Sequence, residues 1–252
     1  MKVKIVGIPD PEYSHPIAGH TSLDTRDWED SMKLRQFWLG IAGAVLSVGL
    51  LSPQAAVAVD YDINSANSLQ VVVNKHRMLT ASSYVPASLT RVSAERLRTE
   101  AATAYNKFSK AAKAAGVNVR PLSGYRSYAE QQSLYADYVA QYGQATADTL
   151  AARPGYSEHQ TGLAMDIGNA SGVCALQPCF ADTPAGRFAA SEGWKYGFIV
   201  RYPAGAQSIT GYAYEPWHLR FVGVELATDM RANGITTLER YFGLEDAPDY
   251  LP

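Results

Sequence analysis

Two short stretches of this 252-residue chain carry residue types whose chemistry belongs together. The first is Ser157-Glu158-His159-Gln160-Thr161-Gly162-Leu163-Ala164-Met165-Asp166, and the second is Glu215-Pro216-Trp217-His218. Two imidazoles and a carboxylate are the ligand set of a zinc site with an open fourth position, and a further glutamate is left as a candidate general base. The chain holds only five histidines, two of them before residue 21, so His159 and His218 stand out.

The spacing makes such a site easy to build. Asp166 and Ala164 share one face of a predicted strand, and the small alanine leaves room for a metal beside the carboxylate. A straight strand would hold His159 and Asp166 more than about 20 Å apart, but Gly162 between them permits a tight bend. His218 opens a second predicted strand, and neighbouring strands lie only about 4.8 Å apart. Glu215 precedes His218 across a proline that fixes the turn, near enough to act as a base without ligating. Singly, each residue has an ordinary reading: a surface or core histidine, or an aspartate capping a turn. Only the conjunction points to a metal.

The elements that must position these residues read as follows. Residues 60–92 are loop-like around the apolar Leu69–Val73, and residues 93–115 read as a long helix capped by Ser93 with Glu95 close behind. Asn118–Leu122 reads as a strand leading into Ser123-Gly124-Tyr125-Arg126-Ser127. Helices are expected over 128–142 and 145–152, then strands over Leu163–Ile167, Phe198–Tyr202 and His218–Val222. Residues 183–192 and 223–243 read as helical. Without regular strand–helix alternation, the pattern is α+β, not doubly wound.

Residues 37–51 form an uncharged, mostly apolar run behind Lys33 and Arg35, followed by the small-residue site Ala56-Val57-Ala58. That is the make-up of a secretory signal peptide over 32–58, cleaved after Ala58. The rival is a retained membrane anchor, although the run spans only about 22 Å of a hydrocarbon core of about 30 Å. Residues 1–31 are acidic and unlike a signal start, so Met32 is the better translation start and 1–31 is set apart from the fold. The remainder divides into an N-terminal loop-rich segment, 59–92, and a catalytic domain, 93–252.

Beyond residue 58 the chain carries 17 basic against 18 acidic residues, so no basic field points to nucleic acid or an anionic membrane. A membrane partner is expected only if the apolar segment is retained. The two cysteines, Cys174 and Cys179, fall in the exported part, where an oxidising compartment favours a local disulfide. A metal pair is the alternative, but it would need two further ligands close by.

Ser-x-His-x6-Asp with an internal Gly-x-Ala, followed by Glu-x-x-His, resembles the LAS metallopeptidases (lysostaphin, D-Ala-D-Ala peptidase, sonic hedgehog). Val73-Asn74-Lys75-His76-Arg77, Tyr84-Val85-Pro86, Ser123–Ser127 and Glu215–His218 more closely resemble the VanY-type D-alanyl-D-alanine carboxypeptidases. The likeness runs from about Val71 to Gly223, with Met78 standing where the pattern expects proline. It implies one zinc per chain held by His159, Asp166 and His218, Glu215 as base, and a compact α+β domain whose small antiparallel sheet, flanked by helices, carries the site. It also gives Arg126 the role of holding a substrate carboxylate or the developing oxyanion; the alternative is a surface arginine paired with a helix carboxylate. Ser123 and Ser157 are candidates for hydrogen bonds to substrate, and Tyr125, Tyr156 and Trp217 for groove walls. Each also has a plainer reading as turn or core.

The function expected is an extracytoplasmic, monomeric zinc carboxypeptidase that trims D-alanine from peptidoglycan stem peptides. An L,D-carboxypeptidase or an endopeptidase could use the same site. A silent zinc-stabilised cell-wall binding module is a third class, but a purely structural site wants a fourth protein ligand and no base. A glycosidase pairing Glu158 with Asp166 would leave both histidines unexplained.

Overall fold

Side chains alternate across a strand, so the site depends on which residues of two central strands share a face. The computed structural model describes residues 60–79 and 83–252. The apolar run at 37–51, the expected cleavage site and the residues ahead of Met32 lie outside them. The described residues form an α+β fold. A hairpin of β1 (Leu89–Val92) and β2 (Glu95–Arg98) precedes α1 (Thr99–Ala114), β3 (Val119–Ser123), α2 (Tyr128–Tyr142) and α3 (Gln144–Leu150). After a 3-10 turn at Glu158–Thr161 come β4 (Ala164–Asn169), α4 (Pro184–Glu192), β5 (Phe198–Tyr202), α5 (Gln207–Thr210), β6 (Glu215–Phe221), α6 (Val224–Ala232) and α7 (Leu238–Tyr241). Among the described residues no helix is long and apolar enough to cross a membrane.

The main sheet is antiparallel with strand order β3-β4-β6-β5. In the β4–β6 ladder Met165 lies opposite Leu219 and Asp166 opposite His218. Met165, Ile167, Leu219 and Phe221 therefore turn to one face and Asp166, His218 and Arg220 to the other. The first face is the core. Helix α1 buries Ala101, Tyr105, Phe108 and Ala112, spaced as one helical stripe, and Phe108 and Tyr105 meet the ring of Phe198 edge-on or tilted. A second apolar cluster joins Val72 to Val222, Leu226, Met230 and Leu238. Cys174 and Cys179 are bonded to each other, so the metal-pair alternative falls away.

Three expectations differ. Residues 89–92, read as loop, form β1, and the strand read from His218 begins at Glu215, so Pro216 lies inside β6 rather than in a turn. Residues 93–98 do not begin the helix: Ser93 sits at φ 58° in the tight turn of the β1–β2 hairpin, and the helix starts at Thr99. The reason is long-range. Arg96 O accepts from Tyr125 N at 2.7 Å, Glu95 Oε2 accepts from Gly124 N at 3.0 Å, and Arg98 N donates to Gly162 O at 2.9 Å. An extended 95–98 is tied at once to the two loops that carry site residues, and these bonds override its local helical preference.

Behind the polar face of the sheet lies a buried charge cluster. Arg201 on β5 donates through Nε to Glu158 Oε1 (2.8 Å) and through its terminal nitrogens to both oxygens of Glu239 on α7 (2.6 and 2.9 Å). Arg220 on β6 donates to Glu158 Oε1 (2.7 Å) and to the carbonyls of Leu69 and Val71 (3.1 and 2.6 Å). All four side chains are fully buried. Two cations and two anions cancel, which is what makes burial tolerable. Burial alone would raise the Glu158 and Glu239 carboxyls; the guanidiniums beside them win and hold both below the ordinary range.

A folded-state pKa below the unfolded value of 4.5 gives stability that is fully present above that value and lost as pH falls through the depressed one. The midpoint of thermal unfolding should therefore drop as pH is lowered from about 6 toward about 3. Glu239→Gln should lower stability at neutral pH by about 3–5 kcal/mol and flatten the acid slope. Calorimetry of both chains across that range checks it; parallel slopes would contradict it.

Candidate active site

Four segments converge on the polar face of the sheet. Ser157 caps the 3-10 turn, its Oγ accepting from His159 N at 3.3 Å, and Gly162 closes the turn at φ 69°, where an L side chain is strained. The turn brings His159 over β4, so that His159 Nε2 lies 3.3 Å from Asp166 Oδ2. Across the ladder, His218 Nδ1 lies 3.3 Å from Asp166 Oδ1. One ligand atom from each of His159, Asp166 and His218 falls within 4.8 Å of the others, and all three residues are buried.

The hydrogen bonds on the far side of each ring fix which nitrogen faces inward. His159 Nδ1 lies 2.8 Å from Gly124 O, an acceptor only, so this nitrogen carries the proton and Nε2 offers a lone pair. His218 Nε2 faces Glu158 Oε2 at 3.3 Å, leaving Nδ1 toward Asp166. Asp166 Oδ1 is buried without a well-formed hydrogen bond, and His218 Nδ1 stands 3.3 Å from it. An orphaned buried carboxylate oxygen beside two inward-facing ring nitrogens suits a divalent metal of zinc's preferences.

Burial keeps His159 below the ordinary histidine range, with nearby Arg126 adding to the effect despite Asp166. For His218 burial works in the same direction, but the carboxylates of Asp166 and Glu158 at its two nitrogens outweigh it and lift the ring to about 9. Asp166 is held well below the carboxylate range: burial opposes this, and both histidines prevail. Glu215 is pushed up to about 8 by burial, with His218 and Arg126 pulling back. Its Oε2 stands 3.6 Å from His218 Nδ1. A carboxylate whose protonated form burial favours, standing beside the ligand cluster, is placed to take up and give back a proton.

Arg126 lies on the loop between β3 and α2 and is braced on three sides. Nη1 donates to Gln131 Oε1 at 2.8 Å, Nη2 donates to Ser123 Oγ at 2.7 Å, and its backbone N donates to His159 O at 3.2 Å. Ser127 follows as the cap of α2 in a reciprocal capping box with Glu130, which fixes the loop exit. Ser123 thus orients Arg126 and Ser157 orients His159. Tyr125 lies under the guanidinium of Arg96, 5.3 Å from ring centroid to Cζ, and Tyr156 packs edge-on against Tyr250. Trp217 packs against the core cluster, on the opposite sheet face from His218. Glu158 is sealed in the charge cluster, which excludes the paired-acid arrangement with Asp166. Gln131, Arg201, Arg220 and Glu239 also serve the site, and the motifs of the sequence do not mark them. The Ser-x-x-Glu box at 127–130 and charged residues at inward strand positions were the available signals.

Known proteins resemble this chain in sequence and fold. The family model for VanY, D-alanyl-D-alanine carboxypeptidase, matches residues 94–224. The chain is 38% identical over 190 residues to the putative carboxypeptidase YodJ of Bacillus subtilis (strain 168), covering 71% of this chain and 69% of that one. Its structure is similar to that of the LdcB LD-carboxypeptidase, with TM-score 0.67 and 38% identity over 72% of this chain and 88% of the other. It is also similar to a mutant of the vancomycin resistance D,D-pentapeptidase VanY from a VanB-type cassette, solved in complex with Zn(II), with TM-score 0.60 and 34% identity over 68% and 97%. With a family match over more than half its length and a relative matched over most of both chains, the chain belongs to the VanY D-alanyl-D-alanine carboxypeptidase family.

Proposed function

We propose that this VanY-family peptidoglycan carboxypeptidase is a zinc D,D-carboxypeptidase that removes the C-terminal D-alanine from stem peptides outside the cytoplasm. The observation that carries the reading is the pairing of a three-ligand cluster, His159, Asp166 and His218, with a carboxylate beside it, Glu215, and a braced arginine, Arg126. Zinc held by those three residues would supply Lewis acidity, lowering the pKa of water and polarising the scissile carbonyl. Glu215 takes the proton of the attacking water and returns it to the amine of the departing D-alanine. The bond broken is the terminal amide, and the elements of water are divided between the new carboxyl and the released amine. Arg126 presents a fork that suits a carboxylate or a developing oxyanion, and its bonds to Ser123 and Gln131 hold that fork in place before substrate arrives.

A second reading has its own support: the LD-carboxypeptidase LdcB is more similar in structure than the D,D-pentapeptidase, by TM-score 0.67 against 0.60. Synthetic stem peptides separate the two. A pentapeptide ending in D-Ala-D-Ala should release D-alanine, read by mass spectrometry. Release from the tetrapeptide alone would favour the L,D reading, and cleavage of a C-terminally amidated peptide at an unchanged rate would contradict recognition of a free carboxylate.

The extracytoplasmic location is supported by the Lys33-flanked apolar run and by the Cys174–Cys179 disulfide, which suits an oxidising compartment. N-terminal sequencing of the protein recovered outside the cell should begin near Val59; a chain that keeps residues 37–58 would be an anchored form.

Glu215→Gln should keep its metal while kcat falls by about 10²–10⁴. His159→Ala, Asp166→Ala and His218→Ala should lose metal and activity together, since only three protein ligands hold it. Zinc content per chain across the four variants checks the division of roles. Loss of zinc from Glu215→Gln, or its full activity, would overturn it.

A further inference from the structure

We infer that Glu158 is a positioning residue for the metal centre: its carboxylate, clamped by Arg201 and Arg220, fixes His218 so that Nδ1 alone is presented to the metal. The inference rests on the reading of His159, Asp166 and His218 as ligands. It concerns a residue that touches neither substrate nor metal.

The geometry separates the two edges of the His218 ring. Asp166 and Glu215 face Nδ1, at 3.3 and 3.6 Å, while Glu158 Oε2 faces Nε2 at 3.3 Å. These nitrogens point away from each other across the imidazole, so a carboxylate at Nε2 cannot share the metal bound at Nδ1. What it can do is accept the Nε2 proton, and so select the tautomer whose lone pair faces inward and raise the basicity of that lone pair. A neutral acceptor would select the tautomer with less polarisation. The charge on Glu158 is secured by two guanidiniums on its other oxygen, Arg201 Nε at 2.8 Å and Arg220 Nη1 at 2.7 Å.

The cluster also fixes where Glu158 stands. Arg201 is tied to Glu239, which accepts in addition from Asn74 at 3.0 Å. Arg220 is tied to the carbonyls of Leu69 and Val71 and, through Nε, to that of Phe221. Glu158 therefore has no freedom to follow His218, and the ring must come to it. The rings of Tyr202 and His159 pack on that of His218, centroid to centroid at 4.8 and 5.0 Å. Adjacent residues of one 3-10 turn thus serve different ligands: His159 offers its own nitrogen, and Glu158 orients the ring of the other histidine.

The test is a zinc competition titration of the full chain against a chromophoric chelator at neutral pH, with folding of every metal-free variant confirmed by circular dichroism. Glu158→Gln should bind zinc about 10–100-fold more weakly than wild type. Glu239→Gln, which loosens Arg201 but leaves the Glu158 carboxylate at His218 and its bond from Arg220 in place, should weaken binding clearly less than Glu158→Gln does. A merely structural role predicts that both variants weaken alike, and that result, or wild-type affinity in Glu158→Gln, would overturn the inference. Should the wild-type chain itself bind no zinc, the ligand assignment fails instead. Long-range proton–nitrogen NMR of the zinc-loaded wild-type chain needs no variant: the His218 proton should reside on Nε2, and a proton on Nδ1 would overturn the inference.

Discussion

The antiparallel pairing of β4 with β6 is the constraint on which the site depends. It sets Asp166 directly opposite His218 and, on the other face, Met165 opposite Leu219. Because the side-chain period in a strand is two residues, a slip of one would turn the carboxylate and the imidazole into the hydrophobic core and expose the core residues. The apolar face therefore specifies the register and the polar face uses it. Residues such as Phe108 and Phe198, remote from the chemistry, decide which side chains meet above the sheet.

That polar face would be costly to bury were its charges left unpaired. Two arginines and two glutamates lie wholly inside the fold, and their gain over a well-packed apolar cluster is small at best, since each ion gives up its hydration. What the cluster provides is fixed geometry. It joins the segment at 69–74, the 3-10 turn at Glu158–Thr161, β5, β6 and α7 through bonds between 2.6 and 3.1 Å. Its one outward-reaching oxygen ends at His218. Arg126 is treated in the same way by smaller means, with Ser123 and Gln131 holding the guanidinium on a loop whose exit is pinned by the capping box of Ser127 and Glu130. Both arrangements place the reactive groups on rigid supports before substrate binds.

Much of this was legible in the residues. Gly162 between His159 and Asp166 implied the bend that the 3-10 turn makes, and the parity of Ala164 and Asp166 implied their shared face. Helix α2 spans the range expected of it, 128–142, and β5 likewise spans Phe198–Tyr202. Residues 93–98 read as helix because their bonding partners, Gly124, Tyr125 and Gly162, lie far along the chain, and local propensity favours helix there. The roles of Arg201, Arg220 and Glu239 were hidden for the same reason. A charged residue inside a strand reads as an outward position until the fold shows what meets it. Trp217 reads from its motif as a groove wall or as core, and strand alternation sends it to the core.

The most direct test of the whole account is a crystal structure of the zinc-loaded chain with anomalous diffraction measured at the zinc edge. One peak should lie within about 2.0–2.2 Å of His159 Nε2, an Asp166 carboxylate oxygen and His218 Nδ1, with Glu215 outside bonding distance. A peak that includes Glu215 in the coordination sphere, or that engages His218 through Nε2, would contradict it.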